Sequence, residues 1–144
     1  MNGFLLDTKV LSELRKGNHC DRSVRDWIQQ TVAEELFVSV VVLGEIRRGI
    51  ERIRIRDQNQ ARTLEKWLQN LTTEFAERVL PIDESAADQW GRLGLRQPAP
   101  LLDAFLAATA LVHDLTVATR DEDGFRNTGV RIVNPFSKPK STGN

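Results

Sequence analysis

The sequence predicts an α/β fold, with a mainly parallel central sheet flanked by helices. Two observations carry this. Short apolar or β-branched runs recur along the chain at Phe4–Leu6, Leu36–Val40, Val79–Ile82, Leu115–Thr119 and Arg131–Asn134. Between them stand segments of helical periodicity. Strands that alternate with helices make parallel pairs, because a parallel pair needs a crossover, usually helical.

Phe4-Leu5-Leu6 stops at Asp7-Thr8, so it reads as a buried strand running into a turn. Val10, Leu11 and Leu14 have helical spacing, ending near Lys16-Gly17. Val24 to Val32 carries Trp27 and Ile28 on a second helix, before the strand Leu36 to Val40. The next helix puts Leu43, Ile46, Ile50 and Ile53 on one stripe, and Arg47, Arg48, Glu51, Arg52 and Arg54 on its other face. Arg56 to Leu71 continues as a polar helix with Leu64, Trp67, Leu68 and Leu71. After the strand at Val79, Glu84 to Leu93 forms a helix, and Gly91 to Pro100 a loop rich in Gly and Pro. Leu101 to His113 is apolar nearly all round, which marks a buried helix. The last two strands follow.

The chain has 144 residues, enough for one domain with its own core. Residues 1–136 are expected to form that domain. Residues 137–144 are expected to be a disordered polar tail. One cysteine, Cys20, permits no intramolecular disulfide, in keeping with a reducing cytoplasm. The first residues lack the basic segment of a signal peptide. No apolar run approaches the ~20 residues needed to span a bilayer. A formal net charge of zero argues against a generic DNA-coating protein. Yet 15 of the 20 basic residues are Arg, which grips phosphate through a planar fork. Those between Arg47 and Arg62 are expected to hold a nucleic-acid backbone.

Four acids, Asp7, Glu45, Asp103 and Asp121, stand where an apolar run ends or an apolar helix begins. Singly, each has a bland reading. Asp7 and Asp103 could cap helices, Glu45 could favour a helix N-terminus, and Asp121 could belong to a charged turn with Glu122 and Asp123. Together they suggest one acidic pocket at a sheet edge, where open α/β sheets place their sites. Like charges crowded together resist ionisation unless a cation joins them. Carboxylates are hard ligands and select Mg²⁺ or Mn²⁺ over zinc. The chemistry implied is metal-assisted hydrolysis of a phosphodiester. Gly49, on the flank of Glu45, is expected to be tolerated in a helix because something packs closely there. His19, His113 and Cys20 fit no catalytic or zinc-type spacing.

FLLDTKVLSELRKG, SVVVLGEIRRGIERI, LLDAFLAATALVHDLTVATRDEDGF and VRIVNPF resemble the successive motifs of PIN-domain nucleases. They most resemble the VapC/FitB-like toxins of bacterial type II toxin–antitoxin systems. The resemblance runs from about Phe4 to Phe136. It implies a three-layer α/β/α fold and a Mg²⁺- or Mn²⁺-dependent ribonuclease, with Asp7, Glu45, Asp103 and Asp121 as catalytic and metal-binding acids. Asp7 and Asp103 are the pair most firmly tied to the metal, and Thr8 and Thr119 match its supporting hydroxyls. The implied partners are an RNA substrate and a small antitoxin of the VapB/FitA kind. A homodimer, a toxin–antitoxin hetero-oligomer, DNA contact only through the antitoxin and no membrane contact are implied too. Two departures stand out. Lys9 occupies a position that is usually Asn, and Asp123 competes with Asp121 for the fourth acid.

A response-regulator receiver needs two adjacent acids after its first strand, and a haloacid-dehalogenase phosphatase needs two Asp residues two apart. Asp7-Thr8-Lys9 satisfies neither. A PIN-fold binding protein with weak or lost nuclease activity is the alternative that Lys9 keeps open.

Overall fold

The computed structural model describes residues 3–93 and 99–136. Part of the Gly91 to Pro100 loop and the tail from residue 137 lie outside the described residues. Five strands form one sheet: β1 Gly3–Leu6, β2 Leu36–Ser39, β3 Val79–Leu80, β4 Leu115–Ala118 and β5 Ile132–Val133. Their order is β3-β2-β1-β4-β5, and every pair is parallel. Among the described residues, six α-helices complete a three-layer α/β/α arrangement: α1 Thr8–Leu14, α2 Arg22–Gln29, α3 Val40–Arg54, α4 Gln58–Glu74, α5 Glu84–Arg92 and α6 Leu101–His113.

The chain winds outward through β1, β2 and β3, then returns to lay β4 on the other side of β1. The connections from β1 and from β4 therefore leave in opposite directions. That reversal opens a crevice at the carboxyl ends of the two strands. Leu6 pairs with Ala118, so Asp7 and Thr119 emerge side by side. Leu5, Leu6, Val38, Val117 and Ala118 fill the sheet's core with almost no exposure. Gly3 is needed for closeness, since a Cβ there would come within 3.1 Å of the Phe37 ring.

Several boundaries differ from the sequence expectation, two of them through a side-chain cap. Val40 begins α3 instead of ending β2, because Ser39 Oγ accepts from the Val41 N–H at 3.1 Å. The polar helix from Arg56 starts at Gln58, where Asp57 Oδ1 accepts from the Gln60 N–H at 3.0 Å. The second helix stops at Gln29, and Ala33–Glu35 is a separate 3₁₀ turn. Gly49 is corrected as well: a Cβ there would meet nothing within 4 Å. Its flank of α3 is open, not closely packed.

α6 meets its expected bounds and is the buried central helix, with Ala104, Leu106, Ala107, Ala108 and Ala110 inside. Among the described residues, no helix is long and apolar enough to cross a membrane.

Candidate active site

Asp7 closes β1 and caps α1. Its Oδ1 accepts from the Thr8 N–H at 2.7 Å, and its Oδ2 accepts from Thr119 Oγ1 at 2.7 Å. The fully buried Thr119 hydroxyl also accepts from the Asp121 N–H at 3.0 Å. One threonine at the end of β4 thus fixes the first acid and the backbone of the fourth.

Asp103 is the third residue of α6, and the helix starts after Pro100 without a side-chain cap. Its carboxylate is held against the loop after β4. A Cβ on Gly124 would collide with Asp103 Oδ2 and come within 2.8 Å of Asp121 Oδ2. The Gly124 N–H donates to Asp121 Oδ1 at 3.2 Å. Gly124 has no positive φ, so space is what demands glycine there. Sequence reasoning missed this residue; its only signal was a lone glycine closing an acidic turn.

Glu45 is exposed near the start of α3. Its charge nevertheless reaches both Asp7 and Asp103. Burial first, then the charges of Asp7, Asp121 and Glu45, push the Asp103 carboxyl up to about 6 from 3.8, while the Lys9 ammonium pulls the other way. Burial also raises Asp7, against the hydrogen bonds from Thr119 and Thr8. The charges of Glu45 and Asp121 therefore reach both Asp7 and Asp103 through space. Asp123 stays outside this group; it points to solvent and pairs with Arg126. Lys9 is exposed on the first turn of α1.

The donor set suits a hard cation. It is oxygen throughout, and the Thr8 hydroxyl beside Asp7 is buried without a hydrogen-bond partner. Yet among the described residues no three His, Cys, Asp or Glu side chains are arranged to hold an ion between them. Mg²⁺ ordinarily takes one or two carboxylates from a protein, with water and phosphate filling the rest. A cleft of about 730 Å³ between α2 and the β5 edge, lined by Trp27, Glu122 and Asn134 among others, contains none of the four acids. Donor chemistry, not cleft size, locates the site.

The arginine stripe divides. Arg47 Nη1 meets Glu65 Oε2 at 2.5 Å, and Arg54 lies 2.9 Å from Glu51 and 3.2 Å from Glu65. These two guanidiniums stitch α3 to α4, where a nucleic-acid contact was expected of the whole stripe. Arg48 and Arg52 remain exposed.

Residues 4–130 match the PIN domain family. The chain belongs to the PIN-domain family. This PIN domain is 31% identical over 138 residues to toxin FitB of Neisseria gonorrhoeae, covering 92% of this chain and 98% of that protein. It is 32% identical over 140 residues to VapC ribonuclease Y4jK of Sinorhizobium fredii, covering 92% and 97%. Among solved structures, FitAcB from Neisseria gonorrhoeae superposes with a TM-score of 0.81 at 30% identity, over 92% of this chain and 98% of that one.

Proposed function

We propose that this PIN domain is a Mg²⁺- or Mn²⁺-dependent endoribonuclease and the toxin of a type II toxin–antitoxin module, acting in the cytoplasm. The observation that carries the reading is the convergence of four acidic charges on Asp7 and Asp103, with Asp7 clamped by Thr119. The ribonuclease and toxin names of its relatives support it. The activity is assigned to one domain, residues 1–136.

Asp7 and Asp103 would hold the ion, with Glu45 and Asp121 completing the negative field. Bound there, the ion would polarise the scissile phosphodiester and acidify an attacking water. Thr119 and the Thr8 N–H fix the orientation of Asp7, so its oxygens are aimed before substrate arrives. Gly124 leaves room for the Asp103 carboxylate. Lys9 places a positive charge at the rim, where a phosphate would pass.

Single-stranded RNA incubated with the protein and Mg²⁺ or Mn²⁺ should be cut internally. EDTA should stop cleavage and excess metal restore it; cleavage that persists unchanged in EDTA would contradict the proposal. Expression should arrest growth, and a co-expressed small antitoxin should relieve the arrest. Harmless expression of soluble, active protein would contradict the toxin role.

A further inference from the structure

Four arginines on α3 have two different fates, and the unpaired two lead away from the site. Arg47 and Arg54 are held by Glu51 and Glu65. Arg48 and Arg52 are exposed and make no hydrogen bond or ion pair with any described residue. At about 100° per residue, Arg52 lies roughly 20° and Arg48 roughly 60° from the azimuth of Glu45. Glu45 is the α3 member of the acidic pocket. With a rise of about 1.5 Å per residue, the two guanidiniums start about 4.5 and 10.5 Å along the helix from Glu45. The stripe thus begins at the reacting centre and continues with two cations one helical turn apart.

Two glycines open the surface beside this stripe. Gly44 and Gly49 flank it on either side, and a Cβ on either would meet nothing within 4 Å. Glycine inside a helix costs roughly 1 kcal/mol each relative to Ala, and neither position is required by packing within the chain. At these two points open backbone lies beside the row of arginines, room that a phosphate backbone fits.

We propose that Arg48 and Arg52 form the track that carries single-stranded RNA away from the scissile phosphate, binding two successive backbone phosphates along α3. The proposal rests on the ribonuclease reading and adds the path of the substrate to it. Binding through phosphate alone is independent of base sequence. The track therefore supplies affinity and register, not target choice. An acidic segment of a protein partner is the competing occupant. RNA is favoured because the stripe starts at a catalytic acid, where a phosphate must already sit.

The test is fluorescence anisotropy of a labelled single-stranded RNA 12-mer in EDTA across a KCl series, beside circular dichroism melting. Arg48→Gln/Arg52→Gln should bind roughly tenfold more weakly, and its log K against log salt slope should fall by roughly 0.7 per lost contact. Its melting temperature should match the parent's. Arg47→Gln/Arg54→Gln should do the reverse, melting earlier with an unchanged salt slope. An Arg48→Gln/Arg52→Gln slope equal to the parent's would overturn the proposal, as would weakened antitoxin binding with RNA binding intact. A parent that neither binds RNA nor cleaves it in Mg²⁺ or Mn²⁺ would instead overturn the ribonuclease reading beneath it.

Discussion

Thr119 Oγ1 donates to Asp7 Oδ2 at 2.7 Å while accepting from the Asp121 N–H at 3.0 Å, so a single buried hydroxyl ties together two strand ends 112 residues apart in sequence. Thr119→Val keeps the shape and removes both bonds. The Asp7 carboxyl then loses the largest influence that lowers it, and rises further. Cleavage is expected to fall on the order of tenfold, equivalent to ~1.4 kcal/mol in the barrier. Thr119→Ser should restore most of it. Single-turnover rates of the three proteins decide; a Thr119→Val rate equal to the parent's removes the clamp from the account.

Asp103 gives the pH dependence. Its carboxyl is raised from 3.8 to about 6 in the folded chain. Between those values the native state binds more protons than the unfolded state, so stability falls as pH rises from about 4 through 6. Above 6 the full penalty applies to the metal-free protein, reduced by solvent screening. Asp103→Asn should therefore melt a few degrees higher than the parent at pH 8, and near the parent at pH 4. Metal-dependent cleavage should increase as pH passes about 6, where Asp103 becomes free to bind a cation. Equal melting temperatures at pH 8 would remove Asp103 from the electrostatic cluster.

Gly124→Ala places a methyl group against the carboxylates of Asp103 and Asp121. Those side-chain ends can swing aside, so the fold should survive with a small change in melting temperature. The displaced acids should bind Mn²⁺ at least tenfold more weakly, and cleavage at limiting metal should fall with it. Mn²⁺ titration followed by electron paramagnetic resonance reads this directly. Unchanged affinity would mean the loop gives way instead of the acids.

Lys9 opposes the acidic field at Asp103. Lys9→Asn should tighten Mn²⁺ binding by roughly threefold to tenfold at low salt, and by less at high salt. If Lys9 also meets the passing phosphate, the same variant should raise KM for RNA. Weaker Mn²⁺ binding by Lys9→Asn would reverse the role given to it.

The five strands and the buried α6 were legible because their apolar runs and periodicity follow from burial alone. The boundaries at Ser39 and Asp57 were less so, since caps compete locally with strand and helix patterns. The four acids were legible as exceptions to burial. Their grouping, and Thr119 as a supporting hydroxyl, were legible too; the room that Gly124 leaves for Asp103 was not, because it depends on the fold bringing the loop after β4 against α6. Nor could the sequence tell Arg47 and Arg54 from Arg48 and Arg52. Only the packing of α4 brings Glu65 against the first pair.

The central claim is that these acids form one metal-dependent nuclease site. The most direct measurement is single-turnover cleavage of single-stranded RNA in Mg²⁺ by the parent and Asp103→Asn at pH 8, with both shown folded by circular dichroism. The account predicts a loss of at least about a thousandfold in the variant, the scale expected when a main electrostatic contributor is removed. A folded Asp103→Asn protein that cleaves as fast as the parent would contradict it.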